Sequence, residues 1–294
     1  VTGAVADRAD EDFERERSRL VGLAYRITGS RTAAEDVVQD AWLRWHRADR
    51  TSIVRPAAWL TTVTSRLALD HLRAAGRSRE TYVGPWLPEP TSVELDPSER
   101  AELAESLSLG FLTVLERLGP TERVVFLLAD VFGVPFEEIA QVVERTPEAC
   151  RQVASRARSR VRDGRPRFGA SDEQAWQVVV AFLAAAQHGD LDSLVSLVSE
   201  DAVSLSDGGA RHRAARRPVV AERIPRLFVN LAARMPSGTD VRLEVINGEP
   251  GVVLSLDGEP YQAMAFTVEG GLISRIWTVR NEDKLHGLDR PPVR

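Results

Sequence analysis

Near residue 165 the rhythm of apolar residues changes, and that change rules out a single uniform core. Upstream, apolar side chains recur every three or four residues, the period of helices that bury one face. Downstream, the runs "VRLEVI", "GVVLSL", "YQAMAFTV" and "LISRIWTV" are separated by Gly-, Asp- and Pro-bearing turns, as strands are. The seam is "DGRPRFGASDE", residues 163–173. A second break, "YVGPWLPEPTSVELDPSE" at 82–99, holds four prolines and a glycine and forbids regular helix. The expected organisation is an all-α unit at 10–80, a Pro-rich linker at 81–100, a second all-α unit at 101–165 and an α+β unit at 170–294. No segment repeats at a fixed period.

With 294 residues and 43% hydrophobic content, the chain can fill two or three cores. Its first residues show no apolar run ahead of a cleavage site, and no apolar stretch reaches the ~18 residues of a membrane span. A cytoplasmic protein without membrane contact is expected. Cys150 is the single cysteine, and His46, His71, His188, His212 and His286 are scattered, so neither a disulfide, a structural metal nor another cofactor is expected.

In the first unit Leu20, Leu23, Ala24 and Ile27 share one helical face, which "GS" at 29–30 ends. The helix "TAAEDVVQDAWLRWHR" buries Val37, Val38, Ala41, Trp42 and Trp45 and turns Asp36, Gln39 and Asp40 outward, with Leu43 among them. A solvated face with one stray leucine is the plainer account; a partner surface is the other. An Arg-rich loop (Arg47, Arg50, Arg55) leads to Pro56, which opens a helix burying Trp59, Leu60, Val63 and Leu67. That helix also carries Arg66 and finishes with Arg73, Arg77 and Arg79, placed where the helix dipole alone favours cations.

From Arg145 to Arg167 eight arginines face two acids, in a chain whose formal charge is -5. Most such runs are solvated faces, yet an anionic partner, above all nucleic acid, is the alternative. The surroundings favour the latter. "GPTERVVFLLADVFGV" reads as one helix from Pro120, "PFEEIAQVV" as a short second helix and "ERT" as a tight turn, after which Thr146 caps a third helix with Pro147 at its first position. Cys150, Val153, Ala154, Ala157 and Val161 form its inward stripe, whereas Glu148, Arg151, Gln152, Ser155, Arg156, Ser159 and Arg162 point outward. This is a helix-turn-helix arrangement, whose last helix enters the major groove, where Arg reads guanine and Gln adenine.

"AAEDVVQDAWLRW", "PAAWLTTVTSRLALDHLR" and "GPTERVVFLLADVFGVPFEEIAQVVERTPEACRQVASRARSRV", in that order, resemble regions two and four of the extracytoplasmic-function sigma factors of the sigma-70 family. "PWLPEP", "DGGAR" and "NEDKL" resemble the subgroup that ends in a SnoaL-like domain. The resemblance implies two all-α sigma domains followed by an α+β SnoaL-like cone. It implies an alternative sigma factor, not an enzyme, that binds core RNA polymerase through the β′ clamp and β flap and directs promoter-specific initiation. The C-terminal domain would modulate that activity in cis.

Residue by residue, Asp36, Gln39, Asp40 and Leu43 match the patch that holds the β′ clamp. Arg47, Arg50, Arg55, Arg66, Arg73, Arg77 and Arg79 match the minus-ten surface, where one base is flipped out at a cost of a few kcal/mol. Glu148, Arg151, Gln152, Ser155 and Arg156 match the minus-thirty-five reader, with Arg123 on DNA backbone. Trp86, Leu87 and Pro88 of the linker and Asp207, Gly208, Gly209 and Arg211 of the tail match the regulatory segments. Three departures from the subgroup stand out: Ala210 replaces a glycine, Arg211 a lysine and Glu282 a proline. Enzymes with this cone use an internal carboxylate or histidine as base; Asp207, His212 and Asp257 are the candidates here, without a paired motif. Two other classes stay open: a ligand-responsive helix-turn-helix regulator that acts without polymerase, and an enzyme with a DNA-binding appendage. No ligand of the cone is identifiable.

Overall fold

The structure is a computed structural model that describes residues 2–288 apart from 80, 81, 83, 93–105, 163–171 and 210–213, and, within these, the side chains of all but 2–10, 50, 77–79, 162 and 172. Its contacts divide the chain into two units: Val1–Glu80 with Val114–Arg165, and Thr81–Thr113 with Pro166–Arg294. Residues 81–113, the Pro-rich segment included, thus group with the C-terminal unit, and 114–165 group with the first sigma-like region.

In the helical unit α1 (Thr2–Thr28), α2 (Arg31–Arg47) and α3 (Pro56–Arg79) bury the stripes their spacing calls for. Leu20, Leu23, Ala24 and Ile27 of α1 are fully enclosed. Gly29, at φ 70°, ends α1 in the left-handed region, and the Ser30 side chain caps α2 by accepting from the Ala33 N–H at 3.1 Å. Trp42, expected inside, is half-buried and stacks on His46 with ring centroids 5.4 Å apart. Trp59 and Leu67 are likewise half-buried. After α4 (Leu109–Leu115), of which only Val114 and Leu115 belong to this unit, α5 runs over Pro120–Phe126 and passes into a wider π turn at Leu127–Val131. One continuous helix was expected here. The Phe132 N–H bonds the Leu127 carbonyl at 3.1 Å, five residues back, and Gly133 at φ 61° closes the turn. α6 (Phe136–Val143) ends at Glu144 in the left-handed region, and Thr146 caps α7 (Pro147–Arg162), its hydroxyl accepting from the Ala149 N–H at 3.2 Å.

After the Pro-rich segment the second unit continues with α8 (Asp172–His188) and α9 (Leu191–Leu197), joined by a turn at 189–190. β1 (Val198–Asp207) follows, a strand outside the four β-rich runs of the sequence. Its reason is tertiary: β1 lies parallel to β6 (Leu272–Val279) and is completed by that partner. After β2 (Val219–Val220) and α10 (Ile224–Ala233) come β3 (Asp240–Ile246), β4 (Glu249–Leu256) and β5 (Glu259–Glu269), so that the sheet order is β2-β1-β6-β5-β4-β3. Asn247-Gly248 and Asp257-Gly258 supply paired positive φ angles to the two-residue turns of the β3–β4 and β4–β5 hairpins.

Alternation along these strands makes two cores. On one face Phe182 of α8, Phe228 of α10 and Phe266 of β5 meet edge to face, with Val252, Met264 and Ile276 around them. On the other face Val253, Ala263, Ala265, Trp277 and Val279 are covered by Leu87, Leu109, Leu285 and Leu288. The Pro-rich segment and the C-terminal turns therefore form a second layer over the sheet.

Candidate functional site

Asp36, Gln39 and Asp40 stand exposed on α2, opposite the buried Val37, Val38, Ala41 and Trp45. Among the described residues none of the three side chains has an ion-pair or hydrogen-bond partner, and Leu43 beside them is 36% exposed. This acidic face with an apolar centre is a surface without an internal role.

The basic residues assigned to the minus-ten surface do not share one environment. Arg47 is exposed, and Arg73 pairs with Asp70 at 3.5 Å. Arg55 donates to the Glu138 carboxylate at 2.6 Å and Arg66 to the Gln141 carbonyl at 2.7 Å, both acceptors lying on α6. The side chains of Arg50, Arg77 and Arg79 lie outside the described residues. Val54, between Ile53 and Arg55 in the loop before α3, is 93% exposed and was not singled out in the sequence.

Within the helix-turn-helix, α7 buries Cys150, Val153, Ala154, Ala157 and Val161, as its spacing requires. Burial pushes the Cys150 thiol up, against the pull of Arg145 and Arg151, which fits a packing role. Glu148, Arg151, Gln152, Ser155 and Arg156 are all exposed. Arg151 is held between Glu137 at 3.0 Å and Glu148 at 3.3 Å, over the Phe136 ring. Arg158 and Arg160 pair with Asp130 and Glu122 at 2.7 and 2.6 Å, which consumes part of the run's positive charge inside the unit.

Arg123 requires a correction. It is 2% exposed and donates to the Ile27 carbonyl at 3.0 Å and the Glu116 carboxylate at 2.9 Å, so it serves packing and has no face for DNA backbone. Ile27 lies in the last turn of α1, whose final carbonyls have no helical donor, and the guanidinium supplies one.

In the second unit the Pro-rich segment is fastened to the sheet by one buried charge pair. Lys284 Nζ donates to Asp207 Oδ2 at 2.7 Å and to the Leu87 carbonyl at 2.5 Å, and sits 3.3 Å from the centroid of the Trp86 ring. Asp207 also accepts from the Leu87 N–H at 2.9 Å, from the Gly209 N–H at 3.1 Å and from the Tyr82 hydroxyl. Burial, together with that bond to the carboxylate, pushes the Tyr82 phenol well above its ordinary range. Asn281 donates to the Tyr82 oxygen at 3.1 Å. Gly209 has φ 62°, and a Cβ there would lie 2.7 Å from the Asn281 side chain, so glycine is required on two counts. Pro88 and Gly208 are buried beside this cluster, whereas Arg211 lies outside the described residues.

Tyr82, Asn281 and Lys284 were not among the expected site residues. Two signals were available: Asn281 and Lys284 lie in the "NEDKL" stretch, and Lys284 is the only lysine among the 38 basic residues of the chain.

A second attachment lies further along, where the Thr91 N–H donates to Asn247 Oδ1 at 3.0 Å and Asn247 Nδ2 to the Leu107 carbonyl at 2.9 Å.

Of the proposed bases of the cone, neither Asp207 nor Asp257 lines its interior. Asp207 points to the face covered by Leu87 and is fully engaged, and Asp257 occupies the exposed β4–β5 turn. His212 lies outside the described residues. Among the described residues no cluster of three His, Cys, Asp or Glu could hold a metal, and no helix is long and apolar enough to cross a membrane.

Three packed helices with an acidic outer face, followed in the same unit by a helix-turn-helix, make the architecture of a sigma-70-type initiation factor. Family models agree: Sigma-70 region 2 matches residues 13–78 and Sigma-70, region 4 matches 108–161. ECF RNA polymerase sigma factor SigJ of Mycobacterium tuberculosis is 41% identical over 293 residues, 94% of this chain and 93% of that protein. Probable ECF RNA polymerase sigma factor SigI of the same species is 36% identical over 266 residues, 88% of this chain and 89% of that protein. The crystal structure of SigJ superposes with a TM-score of 0.76 at 38% identity, over 97% of this chain and 99% of that one. The chain belongs to the ECF RNA polymerase sigma factors, with two helical sigma regions followed by an α+β domain. It acts with RNA polymerase in promoter-specific initiation, in a family whose members are sigma factors rather than enzymes. The regulator that works without polymerase finds no support among these relatives.

Proposed function

We propose that α2 docks the polymerase β′ clamp through Asp36, Gln39, Asp40 and Leu43, that α7 reads the minus-thirty-five element, and that the sheet unit adjusts promoter use in cis through the segment it holds. The supporting observation is the acidic face of α2, exposed, without a partner among the described residues and built around an apolar residue. Core RNA polymerase supplies the opposite charge in this reading, and the β flap takes the helix-turn-helix. The cone performs no catalysis: Asp207 is spent on holding Leu87 and Lys284.

The decisive experiment is in vitro transcription from fragmented genomic DNA with added core polymerase, alongside direct measurement of core binding. Asp40→Arg is expected to abolish holoenzyme formation while leaving the unfolding curve unchanged, since the residue is exposed and reversal places like charges across the contact. Wild-type core affinity in that variant removes the α2 assignment.

Arg151→Ala is expected to weaken promoter binding by about 1–3 kcal/mol at one base position if Arg151 reads a guanine. To do so it must leave Glu137 and Glu148, both exposed and in water, where such pairs are worth roughly 0–1 kcal/mol. Equal weakening on every minus-thirty-five sequence assigns Arg151 to phosphate instead.

A further inference from the structure

The sheet unit also carries a concentration of positive charge that the cluster around Lys284 does not use. Between 214 and 236 stand Arg216, Arg217, Arg223, Arg226 and Arg234 against one acid, Glu222, a formal balance of +4 in a chain of -5. All five arginines are exposed. Their side chains have no ion-pair or hydrogen-bond partner among the described residues, unlike Arg151, Arg158 and Arg160 of α7, which are paired within the helical unit.

Their placement is ordered. α10 turns Ile224, Pro225 and Phe228 into the helix-side core, where Phe228 meets Phe182 at 5.0 Å. Arg223 and Arg226 are three residues apart, and Asn230 and Arg234 follow at intervals of four, so these four side chains stand on the opposite, exposed side. The stripe extends over ~16 Å at 1.5 Å per residue. Arg216 and Arg217 lie in the bend before β2. Arginines at this density, without a counter-charge among the described residues, repel one another, and an anionic partner relieves that repulsion.

We propose that the exposed face of α10, with Arg223, Arg226 and Arg234 as its anchors, binds the phosphate backbone of duplex DNA without reading sequence. The inference rests on the chain's place among sigma factors, which brings duplex DNA to the same polypeptide. One contact made by the helix-turn-helix raises the local concentration of DNA at every other surface, to millimolar for short tethers. A DNA strand presents a phosphate about every 3.4 Å of axis, so a basic stripe of this length spans several of them. Asn230 between the arginines is a further donor to phosphate oxygen. An acidic protein surface is the competing occupant, and it predicts a different outcome.

The test uses the full chain and a fluorescein-labelled 40-bp duplex of random sequence, titrated at several KCl concentrations. Each phosphate contact contributes about 0.9 to the slope of log affinity against log salt. The triple change Arg223→Gln, Arg226→Gln, Arg234→Gln is expected to make that slope shallower by about 2 to 3 and to weaken binding at least tenfold at low salt. Lysine at the same three positions is expected to keep the wild-type slope, which separates charge from folding. An unchanged slope in the glutamine variant, or no duplex binding by the wild type at low salt, overturns the proposal. Unchanged DNA binding with weakened core polymerase affinity overturns it in favour of an acidic protein surface. Failure of the sigma reading itself has another signature, the loss of core binding by the wild-type chain.

Discussion

Asp207→Ala is expected to destabilise the sheet unit by about 3–5 kcal/mol, because it leaves the Lys284 ammonium enclosed without its counter-charge. Both side chains are nearly inaccessible, at 0% and 4% exposure, so water cannot take the place of the missing carboxylate. The Leu87 and Gly209 amides lose an acceptor in the same step. A second change, Lys284→Met, keeps the length of the side chain against Trp86 and removes the stranded charge. The double variant is expected to recover most of the loss, since apolar replacement of a buried pair is often close to neutral. Urea unfolding followed by tryptophan fluorescence measures both. A single-variant loss below about 1 kcal/mol, or a double variant as unstable as the sum of its parts, rules out the pair as the fastening of the Pro-rich segment. Transcription adds a second reading: Asp207→Ala and Trp86→Ala are expected to alter promoter output in the same sense.

Glu249→Gln is expected to remove a pH dependence that the wild-type sheet unit possesses. Glu249 is 4% exposed, and its carboxylate accepts from the Thr267 hydroxyl at 2.5 Å. Burial pushes its pKa from 4.5 to about 7, with Glu269 adding to the rise and Thr267 and the Leu109 backbone opposing it. Below pH 4.5 the group is protonated in both native and unfolded chains and costs nothing. Between 4.5 and about 7 the unfolded chain releases the proton first, so stability falls as pH rises and levels off above that window. The gap between the two values corresponds to on the order of 3 kcal/mol. Glutamine cannot ionise, so urea midpoints of the variant are expected to change little between pH 5 and pH 8, where those of the wild type decline. Parallel profiles for the two proteins contradict this account of Glu249.

Why the sequence displays some of these features and hides others follows from where their determinants lie. The β3–β4 and β4–β5 hairpins carry their turn chemistry in adjacent residues, Asn247-Gly248 and Asp257-Gly258, and α7 carries its start in Thr146-Pro147. Such elements are legible because the cause sits beside the effect. β1 is different: its extended state depends on β6, some seventy residues away in the chain, and local propensity leaves helix and strand open. Arg123 is a charge whose partner is a backbone carbonyl of α1, and a one-letter code does not distinguish satisfied carbonyls from waiting ones. The same limit hid Tyr82, and left Asn281 a motif letter without a task; both matter through the bonds that they make around Asp207. Trp86, Leu87 and Asp207 stand in motifs that the sequence displays, and the structure adds the bonds that join them.

Lys284 has a chemical corollary. Because no other residue offers an ε-amine, any acylating reagent or enzyme directed at lysine side chains has a single target in these 294 residues, and that target is enclosed by Trp86 and Asp207. Reaction requires the segment to lift first, so the rate of acylation measures the free energy of that opening, as amide exchange does for a backbone bond. Once acylated, the nitrogen has lost its charge and cannot return to the carboxylate. A transient opening is thereby converted into a lasting one, and a minor conformation of this sigma factor becomes a covalently marked population.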